Sequence, residues 1–141
     1  MRRIRLFVDT GVLLAAVLAD DPGHAAARRI LEDADRWRGF HTSDYVLAEG
    51  LNFIRQKVRR KDAADSFLAL AFGTNEDPPI VDEVLRVHGG RFAAALQRYR
   101  DEFDRGLSFT DWTSVVLMEE ERLGAIATFD RGFHGIVDVA E

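Results

Sequence analysis

The chain is expected to fold as an α/β layer structure around a parallel sheet. Three observations lead there. Short β-rich runs alternate with helical stripes along the whole length. Strands separated by helices imply parallel pairing with crossover connections. The 141 residues, 47% hydrophobic and 30% charged, suit a globular chain with a core of its own rather than a disordered or fibrous one. One domain spanning 1–141 is expected, since neither of the loop-like stretches, Asp20–Gly23 and Gly73–Pro79, resembles a linker.

The elements follow in order. Ile4–Val8 is a β-rich run, and Gly11–Leu18 a buried helix. A second helix over His24–Ala34 turns Ala27, Ile30, Leu31 and Ala34 inward. Gly39–Thr42 reads as a short strand, after which Thr42, Ser43 and Asp44 offer helix caps. The next helix, Tyr45–Val58, carries Leu47, Leu51, Ile54 and Val58 on one stripe. Another, Asp62–Phe72, uses Ala64, Phe67, Leu68 and Ala71. A strand is expected within Ile80–Val87. Phe92, Ala95, Leu96, Tyr99 and Phe103 then form a clean helical stripe. Asp111–Leu123 is mostly apolar through Met118, hence buried, and Gly124 is expected to end it. Ala125–Phe129 and Ile136–Val139 read as the last strands.

Several chemistries are excluded by composition. There is no cysteine, so no disulfide, thiolate metal site or cysteine nucleophile. Four scattered histidines, His24, His41, His88 and His134, form no metal-binding pair. The apolar run Gly11–Ala19 is far shorter than the ~20 residues needed to cross a bilayer. Asp9 interrupts the stretch that a signal peptide would keep apolar. A cytoplasmic location is expected. The net charge of −5 argues, at first sight, against a nucleic-acid partner.

The acids are placed where chemistry gathers in parallel sheets, at the carboxyl ends of strands. Asp9 directly follows the first strand and Asp130 the run Ala125–Phe129. Asp111 opens a helix, and Glu49 lies a turn or more into another, on a polar stripe with Tyr45, Asn52 and Gln56. Each has an ordinary structural explanation as well. Asp9 and Asp130 are turn formers or caps, Ser108-x-x-Asp111 resembles a capping box, and Glu49 is a solvated helix face. Their apolar settings, Leu-Phe-Val-Asp9, Leu-Ala-Glu49-Gly-Leu, Phe-Thr-Asp111-Trp and Ala-Thr-Phe-Asp130, point instead to convergence. Gathered carboxylates repel, and hard divalent cations such as Mg²⁺ or Mn²⁺ relieve that repulsion. Two such ions about 3.5–4 Å apart activate water and stabilise a leaving phosphodiester oxygen, with no histidine or cysteine required.

Two decoys fail. Asp9-Thr10-Gly11 is also the tripeptide of aspartic proteases, but that chemistry needs two aspartates sharing a proton on a β-rich scaffold. Phosphotransfer aspartate pockets lack their second acid, since Gly11 stands there, and the lysines Lys57 and Lys61 share one helical region.

The chain resembles the PIN-domain family, in particular the VapC-type toxins of toxin–antitoxin pairs. The matching stretches are Phe7-Val8-Asp9-Thr10-Gly11-Val12-Leu13-Leu14, Asp21-Pro22-Gly23-His24 and Ser43-Asp44-Tyr45-Val46-Leu47-Ala48-Glu49. Leu107-Ser108-Phe109-Thr110-Asp111 and Ala127-Thr128-Phe129-Asp130-Arg131-Gly132-Phe133 follow in the same order. The resemblance implies a three-layer fold with about five parallel strands, order 3-2-1-4-5, between helices. It implies that Asp9, Glu49, Asp111 and Asp130 are the catalytic, metal-holding set. Thr10, Ser108, Thr110 and Thr128 become candidates for orienting those carboxylates.

By the same resemblance the activity is a Mg²⁺- or Mn²⁺-dependent endoribonuclease that uses metal-activated water and leaves 5′-phosphate and 3′-hydroxyl ends. The implied partners are RNA, a VapB-type antitoxin that plugs the acidic cleft, and a second copy of the chain. Phe53, Phe67 and Phe72 are candidates for the antitoxin groove. Arg55, Lys57, Arg59, Arg60 and Lys61, with Arg2, Arg3, Arg5 and Arg131, are candidates for phosphate contact or simply a solvated surface. Trp112 is either core or a stacking platform. The competing readings are a non-catalytic PIN-like binding module with a vestigial pocket, and an aspartic peptidase. Four of the five surplus negative charges belong to the four acids. A cleft neutralised by cations would leave the remaining surface nearly balanced, so acidity stops counting against RNA.

Overall fold

A computed structural model describes residues 3–140. Arg2, among the candidate phosphate contacts, lies outside the described residues. Four parallel strands form one sheet in the order β3-β2-β1-β4: β1 (Arg5–Val8), β2 (Gly39–Ser43), β3 (Glu83–Leu85) and β4 (Ala125–Ala127). Leu6, Phe7 and Val8 are each fully buried. Successive strand residues point to opposite faces, so both faces of the central strand are covered.

The helices are α1 (Thr10–Val17), α2 (His24–Glu32), α3 (Asp44–Phe53), α4 (Lys61–Phe72), α5 (Gly89–Asp101) and α6 (Phe109–Glu121). α1 is apolar on nearly every side, and Val12 to Ala16 are all buried where it packs on α2, α3 and α4. α5 packs on α6, and α6 on α3. Ser43 ends β2 and caps α3 directly, its Oγ accepting from Val46 N at 3.1 Å. No loop intervenes, so the strand fixes where α3 begins. Asp44 Oδ1 also accepts from Val87 N at 3.1 Å, tying α3 to the chain just past β3.

Several elements differ from expectation. The fifth strand is a single parallel bridge, Val139 to Ile126 of β4, flanked by Ile126 N to Asp138 O at 2.9 Å and Ala140 N to Ile126 O at 2.8 Å. Its place beside β4 matches the expected order. Its length is cut because Arg131–Phe133 form a 3₁₀ turn and Gly135 adopts a left-handed φ of 84°. β4 likewise stops at Ala127, and Phe129 is exposed.

The helix expected over Tyr45–Val58 becomes α3 followed by a π turn, Ile54–Val58, closed by Arg59 N to Ile54 O at 2.7 Å with Arg59 at φ 62°. α2 ends at Glu32, leaving Ala34 exposed. α6 ends on Arg122 at φ 54°, not on Gly124. Gly124 instead permits a close approach, since a Cβ there would lie 2.7 Å from Ile4 Cβ.

The apolar stripe of α5 is mostly outside. Only Ala95 is buried; Phe92 and Leu96 are 40% exposed and Phe103 60%. Phe92 and Tyr99 meet Phe109 of α6 at 5.2 and 6.0 Å between ring centres, and ion pairs add to the seam: Arg91 to Glu120 at 3.2 Å and to Glu121 at 2.5 Å, and Arg98 to Glu119 at 2.8 Å. Trp112 is core, fully buried, with the Arg98 guanidinium 5.0 Å from its ring centre.

Candidate active site at the carboxyl edge of the sheet

Strand register builds the centre of the site. Val8 of β1 lies opposite Ala127 of β4, so the next residues, Asp9 and Thr128, leave the sheet side by side. Asp9 N donates to Ala127 O at 3.0 Å, and the Thr128 hydroxyl donates to Asp9 Oδ2 at 2.7 Å. Asp9 occupies the N-cap position of α1, yet its side chain does not cap that helix. The cap explanation therefore fails for Asp9, and its carboxylate faces the cleft from a buried position, 8% exposed. Burial pushes its carboxyl up from 3.8 to about 6, and repulsion from Asp111 and Glu49 adds to the rise against the opposing Thr128 hydrogen bond.

The capping-box reading of Asp111 holds. Ser108 Oγ accepts from Asp111 N at 3.1 Å, and Asp111 Oδ2 accepts from Ser108 N at 3.0 Å. The box orients the carboxylate without removing it from the cleft. Burial raises the Asp111 carboxyl above its ordinary value, the Ser108 bonds oppose that, and Asp130 and Glu49 push it further up. Asp130 is exposed, and its turn-forming reading also holds: Oδ1 accepts from Gly132 N at 2.8 Å, while its own N–H donates to Thr128 Oγ1 at 3.0 Å. Glu49 is exposed on α3. The four acids thus act on one another electrostatically from four different segments.

The acids are not drawn into a ready cage. Among the described residues, no three Asp, Glu, His or Cys side chains stand close enough to grip an ion as they are placed. Bare carboxylates hold one another apart, and Asp9, Asp111 and Asp130 each spend an oxygen on a neighbouring donor. The donor chemistry nevertheless fits a hard divalent cation. All four groups are carboxylates, and the Thr10 hydroxyl beside Asp9 is buried with no hydrogen-bond partner.

Thr128 is the hydroxyl that orients a carboxylate directly. Ser108 acts as a cap. Thr110 lines an open hollow against α3 together with Glu49. The stretch Asp21-Pro22-Gly23-His24 is a turn held against α1 and the Phe129 ring. Asp21 Oδ1 accepts from Gly23 N at 2.7 Å, His24 Nδ1 meets Ala15 O at 2.7 Å, and a Cβ on Gly23 would lie 2.7 Å from the Phe129 ring.

Of the basic candidates, Arg3 and Arg5 sit at the opposite, amino end of β1, where Arg3 donates to Asp35 O and Arg5 to Glu121 O. Arg60 and Lys61 pair with Asp62 and Asp65. Arg55 and Lys57, on the exposed π turn beyond Glu49, have no ion-pair partner among the described residues. Phe67 is core, whereas Phe53 and Phe72 are 43% and 63% exposed.

A parallel sheet with acids converging at its carboxyl edge defines a class, and the chain belongs to the PIN-domain family, whose model matches residues 6–138. Two solved structures give the nearer context. One is Mycobacterium tuberculosis VapC20, a toxin that cleaves the sarcin-ricin loop. It is 25% identical, with a TM-score of 0.80 over 96% of this chain and 99% of that one. The other is VapBC2 from Rickettsia felis, bound to a DNA fragment from their promoter. It shares the fold at 14% identity, with a TM-score of 0.62 over 97% of this chain and 98% of that one. No curated protein matches the sequence. Among the described residues no helix is long and apolar enough to cross a membrane.

Proposed function

We propose that this chain is a divalent-metal-dependent endoribonuclease, the VapC-type toxin of a toxin–antitoxin pair, acting as a single domain. The observation that carries the reading is the buried Asp9 carboxylate, uncommitted to helix capping, braced by Thr128 and repelled by Asp111 and Glu49, in a PIN fold. The likeness to VapC20 supports the toxin assignment.

In this reading Asp9, Glu49, Asp111 and Asp130 hold Mg²⁺ or Mn²⁺. A bound ion would supply a lowered pKa for water and charge stabilisation at the phosphodiester. The chain's own part is orientation. Thr128 fixes the Asp9 oxygen that faces it, the Ser108 box fixes Asp111, and the burial of Asp9 past the end of β1 limits how far water screens its charge. A VapB-type antitoxin and a second copy of the chain are the partners, with the exposed Phe72 and α5 face offering apolar surface to them.

Purified protein is expected to cleave an RNA hairpin carrying the sarcin-ricin loop sequence when Mg²⁺ or Mn²⁺ is present. EDTA should stop it. RNA cleavage that persists undiminished in EDTA would overturn the metal-dependent reading. Calorimetry showing no divalent-ion binding at millimolar concentration would favour a vestigial pocket.

Arg55 and Lys57 are placed to meet phosphates beyond Glu49. Replacing both with Ala is expected to flatten the dependence of log binding constant on log salt by about 1.4, the single-strand value for two phosphates. Binding to uncleavable RNA at several salt concentrations measures this; an unchanged slope would remove both residues from the interface.

A further inference from the structure

One face of α3 is left unused by the metal-holding reading. Tyr45, Glu49 and Asn52 on α3, and Gln56 on the π turn that continues it, line an open cavity of about 510 Å³ together with Phe53 and Thr110. Glu49 is therefore shared: it belongs to the acidic cleft and also forms the wall of this second hollow. The volume is within the range of sites that take small organic groups.

The chemistry of the lining is specific. Asn52 and Gln56 each present a side-chain carbonyl acceptor and two N–H donors, and neither side-chain amide forms a hydrogen bond among the described residues; at Gln56 only the backbone carbonyl accepts, from Arg59 Nε at 3.3 Å. Phe53 is 43% exposed on a helix whose other large apolar residues are turned inward. Tyr45 is half-buried and held at 6.3 Å, ring centre to ring centre, against Phe109. A rigid aromatic wall, a free aromatic ring and two free amides beside a catalytic carboxylate are the elements that hold an unstacked base. The rings cover its faces, and the amides meet its edge. The exposed cations Arg55 and Lys57 flank Gln56 on the same π turn, at the end of the cavity where a backbone would run onward.

We propose that this cavity is a nucleobase subsite that holds one unpaired base of the RNA next to the cleaved phosphodiester, with Asn52 and Gln56 reading its edge and Phe53 stacking on it. The subsite rests on the ribonuclease reading and adds the determinant of where the chain cuts. A second copy of the chain laid on this face is the rival occupant. Paired amides and a carboxylate suit an apolar protein contact poorly, because burial there would leave them without partners.

The test uses four RNAs differing only in the base beside the cleaved bond. The wild-type chain, the Asn52→Ala/Gln56→Ala double variant and Phe53→Ala are assayed on each. Wild type is expected to favour one base by about tenfold, as edge hydrogen bonds allow, and the double variant to lose that preference. Phe53→Ala should lower kcat/KM about tenfold on all four RNAs alike. In parallel, 2-aminopurine placed at the same position should be quenched on binding to the Asp9→Asn protein without metal, and less so when Phe53→Ala is added. Base ratios in the double variant equal to wild type would overturn the proposal while leaving the ribonuclease reading intact. Loss of cleavage on all four RNAs together with a change in oligomeric state would assign the face to a second copy and overturn it. Wild type that cleaves no RNA would overturn both.

Discussion

Asp9→Asn is expected to lower metal-dependent cleavage by at least about 100-fold and, in the same molecule, to stabilise the metal-free protein. The loss follows from the role of Asp9 as the most buried of the four acids; removing one group that stabilises developing charge has effects of about this size. The gain follows from linkage. The folded-state value of about 6 lies above the ordinary 3.8, so the folded chain binds the Asp9 proton more tightly than the unfolded chain does. At pH below 3.8 both states are protonated and no cost arises. Between 3.8 and about 6 stability falls as pH rises, and above 6 the whole penalty is present, on the order of 3 kcal/mol. Asparagine keeps an acceptor for the Thr128 hydroxyl and removes the charge. In EDTA at pH 7.5 the variant should melt several degrees above wild type, with the gap closing toward pH 4. Equal melting temperatures at pH 7.5 would show that the carboxylate is not under strain. Undiminished cleavage would remove Asp9 from the chemistry.

Gly50→Ala is expected to be the most damaging single methyl group that could be added to the helices around the cleft. A Cβ on Gly50 would stand 2.2 Å from Phe67 Cζ, 2.8 Å from Cε2 and 2.9 Å from Cε1. Phe67 is 1% exposed in the core, so its ring has no open space to swing into. Alanine gains about 1 kcal/mol in helix propensity over glycine, which is too little to offset the clash. Overpacking of this kind costs typically 1–3 kcal/mol, and the 2.2 Å approach places this case at the upper end. α3 would have to move away from α4, and Glu49, the preceding residue, would move with it. Activity should therefore fall along with stability. Phe67→Leu, destabilising by itself, should restore part of both in the double variant, and denaturant unfolding of the four proteins measures the coupling. Strictly additive losses would show that the two residues do not meet as described.

These two residues also mark what a sequence discloses. Asp9 and Asp111 were legible because their signals are local: a strand ending in an acid, and a Ser-x-x-Asp box that the structure reproduces atom for atom. The order of the strands was legible through the resemblance. Thr128 could be named but not paired, because its bond to Asp9 depends on the β1–β4 register across 119 residues. Gly50 gave no sign, since its partner Phe67 is on another helix and periodicity carries no information about which helices touch. The π turn was hidden for a related reason. Leu51, Ile54 and Val58 keep an acceptable α spacing, and only the backbone bond from Arg59 to Ile54 shows the wider winding. The stripe Phe92, Ala95, Leu96, Tyr99, Phe103 gave the helix, but apolar periodicity reports a face and not what covers it. Here Phe92 and Tyr99 reach Phe109 of α6 and Ala95 is buried, while Leu96 and Phe103 stay outside and ion pairs add to the seam.

The central position of β1 has a consequence for how the protein is made. Its second neighbour in the sheet is β4, which is translated more than a hundred residues after it. A nascent chain that has not yet produced Ala125 to Thr128 has no Ala127 carbonyl for Asp9 N and no hydroxyl for its carboxylate. One flank of β1 stays open, and the acids on either side of it have no common frame. At ordinary elongation of about 5–20 residues per second, the interval between making Asp9 and making its brace is several seconds or more. The cleft is thus assembled only once β4 and Thr128 have been made, and a product cut short before them carries the earlier acids without the site.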